Sequence, residues 1–128
     1  MAQKKSSAVR PLRVFCLEDN PLIVFHLEQM IEDLGHIFAG SLDSFIELQR
    51  QASSYDMDCA LVDIDLADGP TGPSAMAWLL DRAIPAVFVT GQAEIAADFA
   101  DISVGTVGKP ISRDTLAAAL LKLREALS

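Results

Sequence analysis

Cys59-Ala60-Leu61-Val62-Asp63-Ile64-Asp65 carries an apolar run straight into a pair of carboxylates. A run with no polar residue on either face fits a strand buried on both sides, as in a parallel sheet covered by helices. Residues 59–64 are therefore read as a buried strand. Four other short segments have the same character, at 12–17, 37–40, 86–90 and 104–107. Stretches with helical period lie after each strand, near 20–35, 42–54, 72–83, 92–100 and 112–127. In the first, Ile23, Leu27, Met30, Ile31 and Leu34 form one stripe. Asn20 suits its N-cap, Pro21 its first turn and Gly35 its stop. In the last, Ser112 is a cap and Leu116, Leu120, Leu123 and Leu127 share a face. The pattern predicts βα repeated five times: an α/β domain with a doubly wound, five-stranded parallel sheet.

Composition agrees with one domain. The 128 residues are 51% hydrophobic and 22% charged, enough apolar material for a single core. A formal net charge of −8 opposes binding to phosphate backbones, so no nucleic acid partner is expected. Lys4, Lys5, Arg10 and Arg13 hold four of the ten basic residues, which leaves the remainder strongly acidic. Residues 1–10 are polar and unpatterned, and are expected to form a flexible tail before a domain at 11–128. No apolar run approaches the roughly 18–20 residues of a membrane helix, and the N-terminus lacks a signal peptide's apolar segment. The expectation is a soluble, cytoplasmic protein without a membrane partner. Cys16 and Cys59 sit in apolar surroundings without metal-ligand spacing and read as buried, reduced thiols.

In a doubly wound sheet ligands gather at the carboxyl ends of the strands. The polar residues there are few: Glu18-Asp19, Asp63 with Asp65, Thr90-Gly91, and Lys109-Pro110. Carboxylates about 4 Å apart repel by roughly 4 kcal/mol per pair at an effective dielectric of 20, so this gathering calls for more positive charge than Lys109 brings. Oxygen ligands with no His or Cys favour a hard ion, and a site with few protein ligands suits Mg²⁺ better than Ca²⁺. Such a site serves in-line phosphoryl transfer, with Asp63 as nucleophile, the Thr90 hydroxyl on one phosphoryl oxygen and Lys109 on another.

On these residues the chain resembles the receiver domain of two-component response regulators, over about 12–127. Glu18-Asp19 match the family's acidic pair. Asp63 in Leu-Val-Asp-Ile-Asp-Leu matches the phosphoacceptor, Thr90 in Val-Phe-Val-Thr-Gly the hydroxyl residue, and Lys109-Pro110 the Lys-Pro pair whose peptide is usually cis. They follow one another at spacings of 44, 27 and 19 residues from Asp19, each at the end of its own strand. The resemblance implies a flavodoxin-like fold with strand order 2-1-3-4-5. It implies Mg²⁺ held directly by Asp19 and Asp63, through water by Glu18, and by the main-chain carbonyl of Asp65. It makes Asp65 and Gln92 positions that tune phosphoryl lifetime, and places the exposed Phe25 of the first helix on a kinase docking face.

The resembling family implies a non-enzymatic signalling protein. It would take a phosphoryl group from a histidine kinase or a histidine phosphotransfer protein. With the last residue at Ser128, it would then act as a stand-alone single-domain regulator through an altered protein contact, as a phosphate sink or as a relay. Two departures stand out. The loop from Asp63 to Gly72 lacks the usual Pro soon after Asp63 and is one residue longer than most, and Thr106 occupies the position of the customary aromatic switch. A phosphorylation-independent pseudo-receiver is the alternative; a more remote one is a phosphatase of the haloacid dehalogenase type, built on Asp63-Ile64-Asp65. Asp68 is read as a loop residue that only adds negative potential, His26 and His36 as structural, and Trp78 as packed on the sheet. The Ala-rich stretches at 93–100 and 117–119 leave a monomer or a weak homodimer as the expected state.

Overall fold

A computed structural model of the chain describes residues 10–128, so the expected tail lies, apart from Arg10, outside the described residues. Strands and helices alternate: β1 (Arg13–Leu17), α1 (Pro21–Asp33), β2 (Ile37–Leu42), α2 (Phe45–Gln51), β3 (Cys59–Val62), α3 (Gly72–Leu80), β4 (Ala86–Thr90), α4 (Ala93–Ala97), β5 (Gly105–Gly108) and α5 (Arg113–Leu127). All neighbouring strands pair in parallel, in the order β2-β1-β3-β4-β5. The expected fold class and strand order are thus what the structure has.

The period-2 geometry of a strand sorts its side chains between two cores. Val14, Cys16, Cys59, Leu61, Val87 and Val89 point to one face and pack with Leu27 and Ile31 of α1 and Leu116, Leu120 and Leu123 of α5. Phe15, Leu17, Ala60, Val62 and Phe88 point to the other and pack with Leu48 of α2, Met76 and Leu79 of α3, and Ala96 of α4. Both cysteines are buried and free, and burial pushes each thiol well above its ordinary pKa, Cys59 to about 12. Trp78 is half-buried against the second core, with the Arg82 guanidinium 3.5 Å from its ring centroid.

The caps act as their chemistry dictates. Asn20 accepts from the Leu22 amide, Ser44 from Glu47 and Ser112 from Thr115. Several boundaries differ from expectation. β2 continues through Ser41 and Leu42, so α2 begins only at Phe45. The β1–β2 register slips between Val14 and Phe15, and Gly40, at φ +133°, lies under the Tyr55 ring, 2.6 Å from where a Cβ would stand. β3 stops at Val62, because the Ile64 carbonyl turns away to accept from the Gly72 amide at the start of α3. α3 ends at Leu80 rather than 83. α4 is one short turn and a half, since the chain tightens after Ala97 to return Phe99 onto Phe88, their ring centroids 6.5 Å apart. β5 is shifted one residue, to Gly105–Gly108.

At the opposite end of the sheet from the polar rim, His36 Nδ1 accepts from the Leu12 amide at 3.0 Å. Burial, helped by Arg124, lowers the His36 pKa below its ordinary 6.5. A depressed imidazole pKa means that the unfolded chain takes the proton more readily, so stability is lost as pH falls below about 6.5. Protonated His36 cannot accept from Leu12, so this hydrogen bond favours the neutral ring and acts in the same direction as burial. His36→Gln, which keeps an acceptor and removes the titration, is expected to melt with a weaker dependence on pH between 7 and 5 than the wild type; equal slopes would contradict this.

Candidate functional site

Parallel β1 and β3 end side by side, which sets their terminal carboxylates next to each other. The Asp63 amide donates to the Leu17 carbonyl at 2.9 Å, and the Glu18 amide to the Leu42 carbonyl at 3.1 Å. One carboxylate oxygen each of Glu18, Asp19 and Asp63 lies within 4.8 Å of the others. Glu18 and Asp63 are buried, at 4% and 8% exposure, while Asp19 is exposed. Lys109 Nζ reaches in from beyond β5 and donates to Glu18 Oε1 at 3.0 Å and to Asp63 Oδ2 at 2.8 Å. The remaining oxygens are also held: Asp63 Oδ1 accepts from the Ile64 amide at 2.7 Å and Glu18 Oε2 from the Asn20 amide at 3.1 Å.

Burial pushes the Glu18 carboxyl above its ordinary pKa, and Asp63 adds to this, against the opposing pull of Lys109 and the Asn20 amide. Burial pulls Lys109 down, yet its hydrogen bonds to Asp63 and Glu18 outweigh that and hold the ammonium above its ordinary value. One cation against three carboxylates leaves the pocket with excess negative charge. An all-oxygen donor set of this charge fits a hard divalent cation such as Mg²⁺.

Thr90 is buried at the end of β4, and its Oγ1 accepts from the Gln92 amide at 3.1 Å, which leaves the hydroxyl proton for another partner. The Lys109 amide donates to the Thr90 carbonyl at 3.1 Å, so the two residues are fixed to one another through the backbone. The Lys109-Pro110 peptide is cis. Asp65 and Gln92 touch: Gln92 Nε2 donates to Asp65 Oδ2 at 2.6 Å. Phe25 stands outside the cluster, 61% exposed on α1, next to the 79% exposed Leu22 one turn earlier. Thr106 is also apart, exposed on β5 at the rim of a cavity of about 170 Å³ between β5 and α5.

Two residues of this region carry more than their types announce. Asp68, expected only to add negative potential, accepts from the amides of Phe45 at 3.2 Å and Ile46 at 3.0 Å and from Thr71 Oγ1 at 2.6 Å. It thus fastens the loop after Asp63 to the start of α2, and it corrects the reading of Asp68 as a bystander. Gly72 opens α3 directly against the Asp63 backbone, and a Cβ there would stand 2.1 Å from the Asp63 carbonyl oxygen. The Asp-Gly and Thr-Gly pairs of this loop were the available signals, but neither tells which distant group the loop meets.

Comparison with known proteins places these features. A sequence model described as the response regulator receiver domain matches residues 14–121. The phyllosphere-induced regulator PhyR of Methylorubrum extorquens is 35% identical over 95 residues, 73% of this chain and 36% of that protein. The solution structure of the receiver domain of Erythrobacter litoralis PhyR superposes with a TM-score of 0.79 at 28% identity, covering 88% of this chain and 89% of that one. The crystal structure of PhyR from Bartonella quintana, described as an anti-anti-sigma factor, gives 0.78 at 28% identity over 98% of this chain and 52% of that one. The chain therefore spans about a third of the curated relative and about half of the Bartonella protein.

Proposed function

The chain belongs to the response regulator receiver family, and from that premise we propose that it accepts a phosphoryl group from a phosphohistidine onto Asp63 and reports the change through a protein contact. The observation that carries this reading is Lys109 Nζ bonded at once to Asp63 and Glu18 beside a third carboxylate. Glu18, Asp19, Asp63 and the main-chain carbonyl of Asp65 are the groups that would hold Mg²⁺. When bound, the ion neutralises phosphoryl charge and orients the group for in-line transfer.

The chain's own residues supply the rest. An Asp63 carboxylate oxygen attacks phosphorus, the new P–O bond forms as the P–N bond breaks, and the electron pair returns to the donor imidazole. Lys109 moves from Asp63 Oδ2 to a phosphoryl oxygen, and the Thr90 hydroxyl donates to another. Asp65 and Gln92, which are bonded to each other, would set the lifetime of the acyl phosphate, as the corresponding positions of the family do. In this reading the protein performs only its own phosphorylation and dephosphorylation, resides in the cytoplasm, and meets a histidine kinase or phosphotransfer protein through Leu22 and Phe25. The description of the Bartonella relative makes an anti-sigma factor the first downstream partner to try.

Intact mass after incubation with Mg²⁺ and acetyl phosphate tests this. One alkali-labile phosphoryl group is expected, absent with EDTA and in Asp63→Asn. Phe25→Ala is expected to leave that reaction unchanged and to slow transfer from a phosphorylated kinase by roughly tenfold, as loss of an interface anchor does. No adduct from either donor would overturn the proposal and leave a phosphorylation-independent binding module.

A further inference from the structure

The acidic site is assembled from two halves that are not continuous in the chain: Glu18-Asp19 after β1, and Asp63-Ile64-Asp65 after β3. Residues 42–46, from the end of β2 to the first turn of α2, bond to the first half and to the loop that continues the second. On one side the Leu42 carbonyl takes the Glu18 amide at 3.1 Å. On the other, the Asp43 carbonyl takes the Ala67 amide at 2.8 Å, and the amides of Phe45 and Ile46 donate to the Asp68 carboxylate. The loop itself is a closed cassette. Gly72 bonds back to Ile64 at 2.9 Å, Leu66 and Gly69 exchange backbone bonds, and Thr71 closes on Asp68. A closed loop moves as a unit, and the contacts at its rim decide where it sits. On the far side it has the single exposed Asp65–Gln92 bond, which must order the Gln92 side chain to form. On the near side the Asp68 carboxylate, also exposed, takes two main-chain amides already fixed at the start of α2, so that rim has more bonds and less side-chain ordering to oppose them.

We propose that Asp68 is a positioning residue of the acidic site: by clamping the loop onto residues 42–46 it sets the spacing between the Glu18-Asp19 half and the Asp63-Asp65 half, and so the affinity for a divalent cation. The proposal rests on the phosphoacceptor reading. Asp68 lies outside the Glu18-Asp19-Asp63 group. It acts through the backbone, and its loss lets the loop and the Asp65 carbonyl drift from the β1 side.

The test is a Mg²⁺ titration of the intact protein followed by amide chemical shifts, with hydrogen exchange of the Phe45 and Ile46 amides alongside. Asp68→Ala is expected to weaken Mg²⁺ by roughly tenfold, as loss of an outer partner of a metal site does, and to expose both amides to exchange. Asp68→Asn, which keeps one acceptor oxygen, is expected to fall between Asp68→Ala and wild type; it also serves if the alanine variant does not fold. Thr71→Val removes the bond inside the loop but leaves the clamp, and should bind Mg²⁺ within twofold of wild type. Wild-type affinity in Asp68→Ala, or equal weakening in Thr71→Val, would overturn the proposal while leaving the phosphoacceptor reading in place. Absence of Mg²⁺ binding by the wild type would overturn both.

Discussion

Lys109→Met is expected to cost about 3 kcal/mol of folding free energy at pH 7 without divalent cations, measured by denaturant titration, because it removes the one cation that, among the described residues, is bonded to the two buried carboxylates Glu18 and Asp63. The side chains of Glu18 and Asp63 are 2% and 10% exposed, so water replaces little of what the ammonium supplies. The pH dependence has a definite sign. The Glu18 pKa is raised in the folded protein, so its contribution favours folding at low pH and is lost as pH rises through that raised value. Without Lys109 the pKa rises further, and the cost of the substitution shrinks as pH is lowered and Glu18 takes a proton. Glu18→Gln in the same background should return part of the loss, since the residual repulsion with Asp63 disappears. Added Mg²⁺ should do the same by binding the folded state alone. A cost below about 0.5 kcal/mol would mean that the pocket is hydrated like a surface ion pair.

Gly72→Ala is the second large effect, about 3 kcal/mol in thermal or denaturant unfolding. The new methyl would stand 2.1 Å from the Asp63 carbonyl oxygen and 2.6 Å from Ile64 Cα. Both are backbone atoms, so no rotamer change relieves the contact; the start of α3 or the end of β3 has to move. Movement of β3 carries Asp63 away from Lys109, so phosphoryl acceptance should fall together with stability. A variant within 1 kcal/mol of wild type that takes a phosphoryl group at the wild-type rate would show that α3 shifts alone and that the place of Asp63 does not depend on this contact.

These two residues show unequal legibility. Lys109 was visible as a site residue because it follows a strand, and parallel topology sends every strand's carboxyl end to the same rim. Gly72 was visible only as a turn residue. The order of elements could be read because each depends on a few neighbours: Asn20, Ser44 and Ser112 cap the helices they precede, and the apolar strands alternate their side chains between two cores. Where expectation failed, a distant group intervened. Ile64 is as apolar as the strand before it, yet it leaves the sheet because its carbonyl answers Gly72. Residues 98–100 fall inside the expected helix, yet the chain turns there as Phe99 returns to Phe88.

The same division runs through the site. Residue types and their places at strand ends were enough to select Glu18, Asp19, Asp63, Thr90 and Lys109, since capping, strand burial and topology act over short stretches or follow one general rule. Which oxygen each group holds was not readable. Lys109 meets Asp63 across 46 positions and Glu18 across 91, and Asp68 meets Phe45 and Ile46 across 23 and 22. Contacts of that kind depend on how whole segments pack, and a shift of a single ångström makes or breaks a hydrogen bond. No residue type or local spacing encodes such a distance; it exists only once the sheet and its loops are assembled.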